Sequence, residues 1–110
     1  MESRSPQVTS RELEFENGTA TGISNRWMHC SILTPVGIVG CGIYDLKRSA
    51  ELGQAIAIAK GTLEKPLAEP EDLFDAKISG LTPQAEELGI QIGMTGKEAV
   101  ELMLKAGKSQ

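Results

Sequence analysis

The sequence has few of the residues that nucleic-acid-binding and membrane proteins depend on. Aromatic side chains make up 4% of the 110 residues, and Lys47-Arg48 is the only adjacent basic pair in a chain with a net charge of -4. A phosphate backbone is bound by converging Lys and Arg side chains, and single strands by stacked aromatic rings. No apolar run approaches the roughly 20 residues that a membrane helix needs. The composition therefore predicts a protein that binds neither nucleic acid nor a membrane.

Cysteine is also scarce, and no secretion signal accompanies it. The start, MESRSPQ, lacks the basic and apolar parts of a signal peptide. Cys30 and Cys41 are then expected to be reduced thiols in a cytoplasmic protein. Apolar residues make up 40% and charged residues 24% of the chain, which is ordinary globular usage.

Hydrophobic patterning divides the chain into a loose segment at 1–9 and one domain at 10–110. Six stretches read as strands because their apolar residues alternate or run continuously between turn residues. They are RELEFE (11–16), TATGIS (19–24), WMHCSILT (27–34), IVGCGIY (38–44), QAIAIAK (54–60) and AKISGL (76–81). Asn17-Gly18 predicts a two-residue hairpin turn between the first two.

Four helices are predicted from their start and stop signals. Asp45 caps a helix that Gly53 ends, a one-turn helix follows Pro70, Thr82-Pro83 opens a helix that stops at Gly89, and Thr95 with Glu98 forms a capping box. The last helix runs from about 96 to 105, and Gly107 ends it. Its apolar face comprises Ala99, Val100, Met103 and Leu104. Strands that precede helices indicate an α+β fold: a two-layer sandwich with a mixed, mostly antiparallel sheet and helices on one face.

Three segments resemble one family. They are Cys-Gly-Ile-Tyr-Asp-Leu at 41–46, Glu-Asp-Leu-Phe at 71–74, and the Leu-Gly-Ile and Gly-Met-Thr-Gly-Lys-Glu-Ala motifs within 88–99. Together they are similar to the YunC-like family, the domain of unknown function 1805. The resemblance implies a compact two-layer α/β sandwich and brings no established activity, so it transfers no catalytic residues.

The turn at 34–37 decides which side chains face each other across the third and fourth strands. If Pro35 and Val36 are the two loop residues, Cys30 lies opposite Cys41 on a core face that also holds Met28, Ile32, Val39 and Ile43. The opposite face then carries Trp27, His29, Ser31 and Leu33 against Tyr44, Gly42, Gly40 and Ile38. A three-residue loop would shift this register and separate the cysteines.

Each candidate site has a structural alternative. Cys30 and Cys41 are either small buried hydrophobes or a pair that switches between dithiol and disulfide, and Cys41 close to a helix start is a candidate nucleophile. A metal site is disfavoured because adjacent His29 and Cys30 point to opposite faces of a strand. His29 also lacks an evident third residue for a catalytic triad.

Two glycine-rich stretches are not phosphate loops. Gly40-Cys-Gly42-Ile-Tyr-Asp45 has Asp where a dinucleotide fingerprint requires its third glycine. Gly93-Met-Thr-Gly96-Lys97 is followed by Glu98 where a phosphate loop requires Ser or Thr. Gly40 and Gly42 instead indicate close approach of another element, of a second subunit or of a small ligand.

Two functions remain open. The first is a homo-oligomeric module that binds a small ligand near Gly40-Cys41-Gly42 or at a subunit boundary, with His29, Ser31, Gly40, Gly42 and Tyr44 as candidate contacts. This function is suggested by an expected uncovered sheet face that bears the apolar residues Trp27, Leu33, Ile38 and Tyr44. The second is a small enzyme that uses Cys41 with His29 or Asp45. The sequence leaves the cofactor of either unknown.

Overall fold

A computed structural model describes residues 8–27, 29–62 and 64–108. Its strands are β1 (Val8–Phe15), β2 (Gly18–Asn25), β3 (Cys30–Leu33), β4 (Gly37–Gly40), β5 (Ala55–Ala59) and β6 (Ile78–Leu81). Its helices are α1 (Leu46–Glu51), α2 (Pro83–Glu87) and α3 (Gly96–Lys108), with a 3-10 helix at Pro70–Leu73. The strands form one sheet in the order β1-β2-β3-β4-β5-β6, and β4 and β5 are its parallel pair. The predicted α+β fold with a mixed, mostly antiparallel sheet is confirmed.

One face of the sheet holds the main core. Along β5 the alanines at 55, 57 and 59 belong to this core, together with Met103 and other buried residues of α3. Ile56 and Ile58 point to the opposite face, where Leu46 of α1 lies near Ile58 and Gly80. Helical residues thus contact both faces, which differs from the expected arrangement of helices on one face, because the short crossover helix α1 returns on the side opposite α3.

Several element boundaries differ from the predicted ones. The first hairpin turns at Glu16-Asn17 rather than at Asn17-Gly18, since Phe15 pairs with Gly18. Val8 and Thr9, expected in the loose segment at 1–9, belong to β1 and pair with Asn25 and Ser24; residues 1–7 lie outside the described part of the chain. Helix α3 continues through Gly107 to Lys108.

The third strand begins at Cys30 instead of Trp27 because Asn25 closes a turn before it. The Asn25 side-chain oxygen accepts hydrogen bonds from the N–H groups of Trp27 (2.9 Å) and His29 (3.2 Å). The Asn25 N–H donates to the His29 carbonyl at 3.1 Å. These bonds bend the chain where an extended strand was predicted. Trp27 is consequently 70% exposed, and Met28, predicted for the core, lies outside the described residues.

The hairpin between β3 and β4 has the predicted two-residue loop. Leu33 pairs with Ile38 and Ser31 with Gly40, and the Thr34 N–H donates to the Gly37 carbonyl at 2.9 Å. One step beyond, the Cys41 N–H donates to the Cys30 carbonyl at 3.0 Å. The two cysteines therefore lie opposite each other, in the register that Pro35 and Val36 predicted.

Glu101 attaches α3 to the first hairpin. Its carboxylate accepts hydrogen bonds from the N–H groups of Glu16 (3.1 Å) and Asn17 (2.9 Å) and from the Asn17 side-chain amide (3.0 Å). Burial acts to raise the pKa of Glu101, but the donors together outweigh it and hold that pKa below its ordinary value of 4.5. The ionised carboxylate is therefore a stabilising contact of the native state.

Replacing Glu101 with Gln is expected to lower the free energy of unfolding by about 1–2 kcal/mol at neutral pH, because charge-assisted hydrogen bonds become neutral ones. A native pKa below the unfolded one stabilises the fold above pH 4.5, and this contribution is lost as the pH falls through the native value. Urea unfolding at pH 7 and pH 3 should therefore show a difference between wild type and Glu101→Gln that shrinks in acid. Glu87→Gln, at an exposed position of α2, is the control; a difference independent of pH would contradict the role of the charge.

Candidate functional site

The candidate site lies at one edge of the sheet, where β4 and β5 end side by side. Because these strands are parallel, the residues after their carboxyl ends meet at the same edge, the position at which α/β sheets commonly bind ligands. Cys41 follows β4, and Lys60 follows β5. Strand β3 is antiparallel to β4, so His29, just before β3, reaches the same edge. These residues are far apart in sequence and become neighbours only through the sheet topology.

A shallow, wide-open cleft of about 460 Å³ lies at this edge, and we refer to it as the edge cleft. Its lining is His29, Cys41, Gly42, Ile43, Ala59, Lys60, Gly61, Thr62, Pro66 and Leu67. The ionisable side chains among them are those of His29, Cys41 and Lys60, and no carboxylate of the described residues lines the cleft. Most of the remaining lining is apolar. The cleft thus combines an apolar wall with nitrogen donors and a thiol.

The loop after β5 forms the outer wall of the edge cleft and is folded tightly on itself. The Thr62 N–H donates to the Lys65 carbonyl at 3.0 Å, and the Thr62 hydroxyl accepts from the Lys65 N–H at 2.9 Å. A Cβ on Gly61 would lie 2.8 Å from both the Lys65 carbonyl oxygen and the Leu67 nitrogen. Glycine at 61 is therefore required for this close return of the loop.

Beyond the loop, the 3-10 helix is fastened to β1. Arg11 forms hydrogen-bonded ion pairs with Glu69, at 3.0 Å, and with Glu71. Asp72 accepts hydrogen bonds from the N–H groups of Glu69 (2.9 Å) and Ala68 (3.0 Å), which lower the pKa of Asp72. Arg11 likewise lowers the pKa of Glu71. These contacts hold in place the segment that carries the cleft wall.

A second cavity of about 470 Å³ adjoins the edge cleft. The two share Lys60, Gly61, Thr62, Pro66 and Leu67 as lining. The second cavity also contains Lys65 and Lys77 together with Glu71, Asp72 and Asp75. Lys60 and residues 61–67 were not predicted to belong to a site, although Lys60 lies at the end of a strand of continuous apolar residues.

The predicted site residues do not all meet in the edge cleft. His29, Cys41 and Gly42 line it. Ser31 is 6% exposed and pairs with Gly40 within the sheet. Asp45 caps α1, where its carboxylate accepts a hydrogen bond from the Arg48 N–H at 3.1 Å.

The fourth strand ends at Gly40, before the predicted end at Tyr44. The neighbouring strand β3 begins only at Cys30, so none of the strands in the described part of the chain lies beside residues 42–44. Ile43, predicted for the core, is 54% exposed and lines the cleft instead. The chain folds back so that the Tyr44 ring covers Gly40: a Cβ there would be 2.3 Å from Tyr44 Cε2. The space at Gly40 is filled by the protein's own tyrosine.

Gly40→Ala is expected to cost about 1–3 kcal/mol in the free energy of unfolding, because the new methyl group forces the Tyr44 ring away. In a Tyr44→Ala background the same change should cost much less. Urea unfolding of wild type, the two single variants and the double variant measures the coupling free energy between the two positions. Gly42→Ala is the matched control, since a Cβ at 42 meets nothing within 4 Å. Equal costs of Gly40→Ala in both backgrounds would refute the contact.

Among the described residues, no group of three or more His, Cys, Asp or Glu side chains is placed to hold a metal ion. Within the same residues, no helix is both long and apolar enough to cross a membrane.

Comparison with known proteins places the chain in a group without an assigned activity. Residues 40–103 match the family model described as "Domain of unknown function (DUF1805)". No curated protein matches the sequence. The solved structure titled "Crystal Structure of a Protein of Unknown Function TA1206 from Thermoplasma acidophilum" is similar to this chain, with 17% sequence identity, a TM-score of 0.74, and coverage of 87% of this chain and 92% of that one. At this identity the likeness shows a shared fold.

Proposed function

The chain belongs to the family of domain of unknown function 1805, which has no assigned activity, and we propose that it is a small-ligand-binding module whose site is the edge cleft. The observation that carries the proposal is the position of the cleft at the carboxyl ends of the parallel strands β4 and β5. Ligand sites of α/β sheets concentrate there because loops diverge from the strand ends and leave a crevice between them.

The lining of the edge cleft favours a small ligand with an apolar body and one negative charge. Ile43, Pro66 and Leu67 offer apolar surface, whereas Lys60 supplies a cation and His29 a hydrogen-bonding ring. The absence of carboxylates among the described lining residues matters in a chain whose net charge is -4. The Lys60 ammonium attracts an anion to the cleft, whereas the net charge of the chain as a whole repels one.

Binding can be tested with hexanoate and its neutral match, hexanamide. We expect hexanoate to bind saturably and to shift the backbone amide signals of Gly42 and Gly61. Lys60→Gln should weaken it about fivefold, the effect of one exposed ion pair. Lys47→Gln, on α1 and outside the cleft, is the control. Tighter binding of hexanamide than of hexanoate at the same residues would refute a preference for anionic ligands but not the ligand site. Binding of neither compound would refute the ligand site itself.

The proposal includes self-association in a reducing cytoplasm. Supporting self-association, Trp27 and Ile43 are large, apolar and 70% and 54% exposed, and both follow strand ends at the edge that holds the cleft. A reducing cytoplasm is supported by the free thiols of Cys30 and Cys41, because such compartments keep cysteines reduced. Light scattering of the full chain should give a mass above the monomer, reduced by Trp27→Gln and unchanged by Leu52→Gln. A strict monomer at high concentration would refute self-association.

A second candidate function is a cysteine-dependent enzyme. Its supporting observation is that Cys41 and His29 line the same cleft, which allows a thiol and a general base to approach one substrate. Asp45 is bound to the N-terminus of α1 and does not line the cleft, so His29 is the better assistant.

Labelling of the native protein by iodoacetamide at neutral pH tests this candidate. Cys41 should react before Cys30, and His29→Gln should slow that reaction if the imidazole assists the thiol. Labelling that begins only when the chain is denatured would refute a catalytic Cys41 while leaving ligand binding unaffected.

A further inference from the structure

The β3–β4 register brings two buried free thiols, Cys30 and Cys41, onto adjacent segments of the sheet. They lie directly opposite each other, and the Cys41 N–H donates to the Cys30 carbonyl at 3.0 Å. Residues of such a hydrogen-bonded antiparallel pair have Cα atoms about 5.5 Å apart, within the roughly 4.4–6.8 Å that disulfides span. Their side chains also project to the same face of the sheet.

The two thiols differ in their access to a reagent. Both belong to the buried core, Cys30 at 2% and Cys41 at 6% exposure, but of the two it is Cys41 that lines the edge cleft. Burial raises the pKa of Cys30 to about 12, and the neighbouring Cys41 adds to this by charge repulsion. Cys30 is therefore not the thiol that meets an external reagent first. Oxidation of Cys41 would leave the Cys30 thiol facing an electrophilic sulfur.

We propose that Cys41 and Cys30 form an intramolecular dithiol–disulfide switch, in which a hydroperoxide enters the edge cleft and oxidises Cys41, and Cys30 then closes the disulfide. The inference uses the cleft only as an access route and holds whether or not a small ligand binds there.

The chemistry balances in two steps. The Cys41 sulfur attacks one peroxide oxygen, so that an S–O bond forms and the O–O bond breaks, and the Cys41 thiol proton ends on the departing oxygen. Cys41 becomes a sulfenic acid, and the peroxide is reduced by two electrons to an alcohol or water. The Cys30 sulfur then attacks the Cys41 sulfur, an S–S bond forms, and the S–O bond breaks. The hydroxyl group leaves as water with the Cys30 proton. A soluble dithiol reverses the product through a mixed disulfide at Cys41.

The switch changes both the site and the sheet. In the disulfide form the edge cleft loses its thiol, and the end of β4 is covalently joined to the start of β3. Because a cross-link reduces the freedom of the unfolded chain, the oxidised protein should melt higher by about 5 °C or more.

Stoichiometric hydrogen peroxide added to the reduced full-length chain provides the test. We expect wild type to lose about 2 Da, the mass of the two thiol hydrogens, to resist iodoacetamide, and to recover both properties with dithiothreitol. Cys30→Ser and Cys30→Ala should stop at a Cys41 sulfenic acid that dimedone traps. Cys41→Ser should be unreactive while folded. Cys30 is replaced by both Ser and Ala so that the test still stands if one of these two variants fails to fold.

Three results would overturn the switch. One is accumulation of oxygen adducts on wild-type Cys41 without the loss of 2 Da. Another is a disulfide between two chains, seen as a covalent dimer that reduction removes. The third is oxidation of Cys30 in folded Cys41→Ser as fast as oxidation of Cys41 in Cys30→Ala.

Discussion

Replacing Gly96 with alanine is expected to destabilise the protein by about 3 kcal/mol or more, because the added methyl group collides with backbone. A Cβ at position 96 would lie 2.0 Å from the carbonyl oxygen of Leu73 and 2.9 Å from its carbonyl carbon. Neither atom belongs to a side chain that can rotate away. The contact is fixed further by the Gly96 N–H, which donates to the Ala76 carbonyl at 2.9 Å, and the Lys97 N–H, which donates to Phe74 at 3.2 Å.

Gly107→Ala is the matched control, since Gly107 lies in the same helix and a Cβ there would meet its neighbours at 3.6 Å or more. Alanine is the better helix former, so this variant should be neutral or more stable by about 0.5–1 kcal/mol. Urea unfolding measures both. A Gly96→Ala protein as stable as Gly107→Ala would show that α3 does not pack this closely on the end of the 3-10 helix.

Thr82→Val should lower the free energy of unfolding by about 3 kcal/mol, because one buried hydroxyl serves three backbone groups. Thr82 is 1% exposed. Its hydroxyl donates to the Gln54 carbonyl at 2.8 Å and accepts from the N–H groups of Ile56 at 3.1 Å and Ala85 at 3.3 Å. Valine keeps the shape but leaves the N–H groups of two buried residues without this acceptor.

Thr82→Ser separates the hydroxyl from the methyl group. Serine keeps all three hydrogen bonds and loses one methyl, so it should cost only about 1 kcal/mol. The order of stabilities expected from thermal or urea unfolding is wild type, then Ser, then Val. If serine proves as costly as valine, packing rather than hydrogen bonding explains the position.

These two positions show how far sequence reasoning extends. Thr82 followed by Pro83 predicted a helix N-cap, and the bond from Ala85 confirms it. The same hydroxyl also joins α2 to the start of β5, 26 residues away in the chain, which no local pattern indicates. Gly96 was assigned to a helix start, and its close contact with Leu73 was not foreseen.

The sequence by itself determined what depends on neighbouring residues. The capping box of Thr95 and Glu98 formed as predicted, with bonds of 3.0 and 3.2 Å. Pro35 and Val36 set the β3–β4 register, and with it the apposition of Cys30 and Cys41. These features follow from turn geometry and side-chain period, which act over a few residues.

Only the tertiary structure decided which distant groups meet. Arg11 reaches Glu69 and Glu71 across about 60 positions, and His29, Cys41 and Lys60 share one cleft because three strands end at one edge. The role of Gly40 was also decided by the tertiary structure. The Tyr44 ring packs on Gly40 because the turn at Asn25 leaves the segment beyond β4 without a neighbouring strand. Spacing along the chain carries no signal for such contacts, because they depend on how whole elements pack and on which backbone groups compete for the same partner.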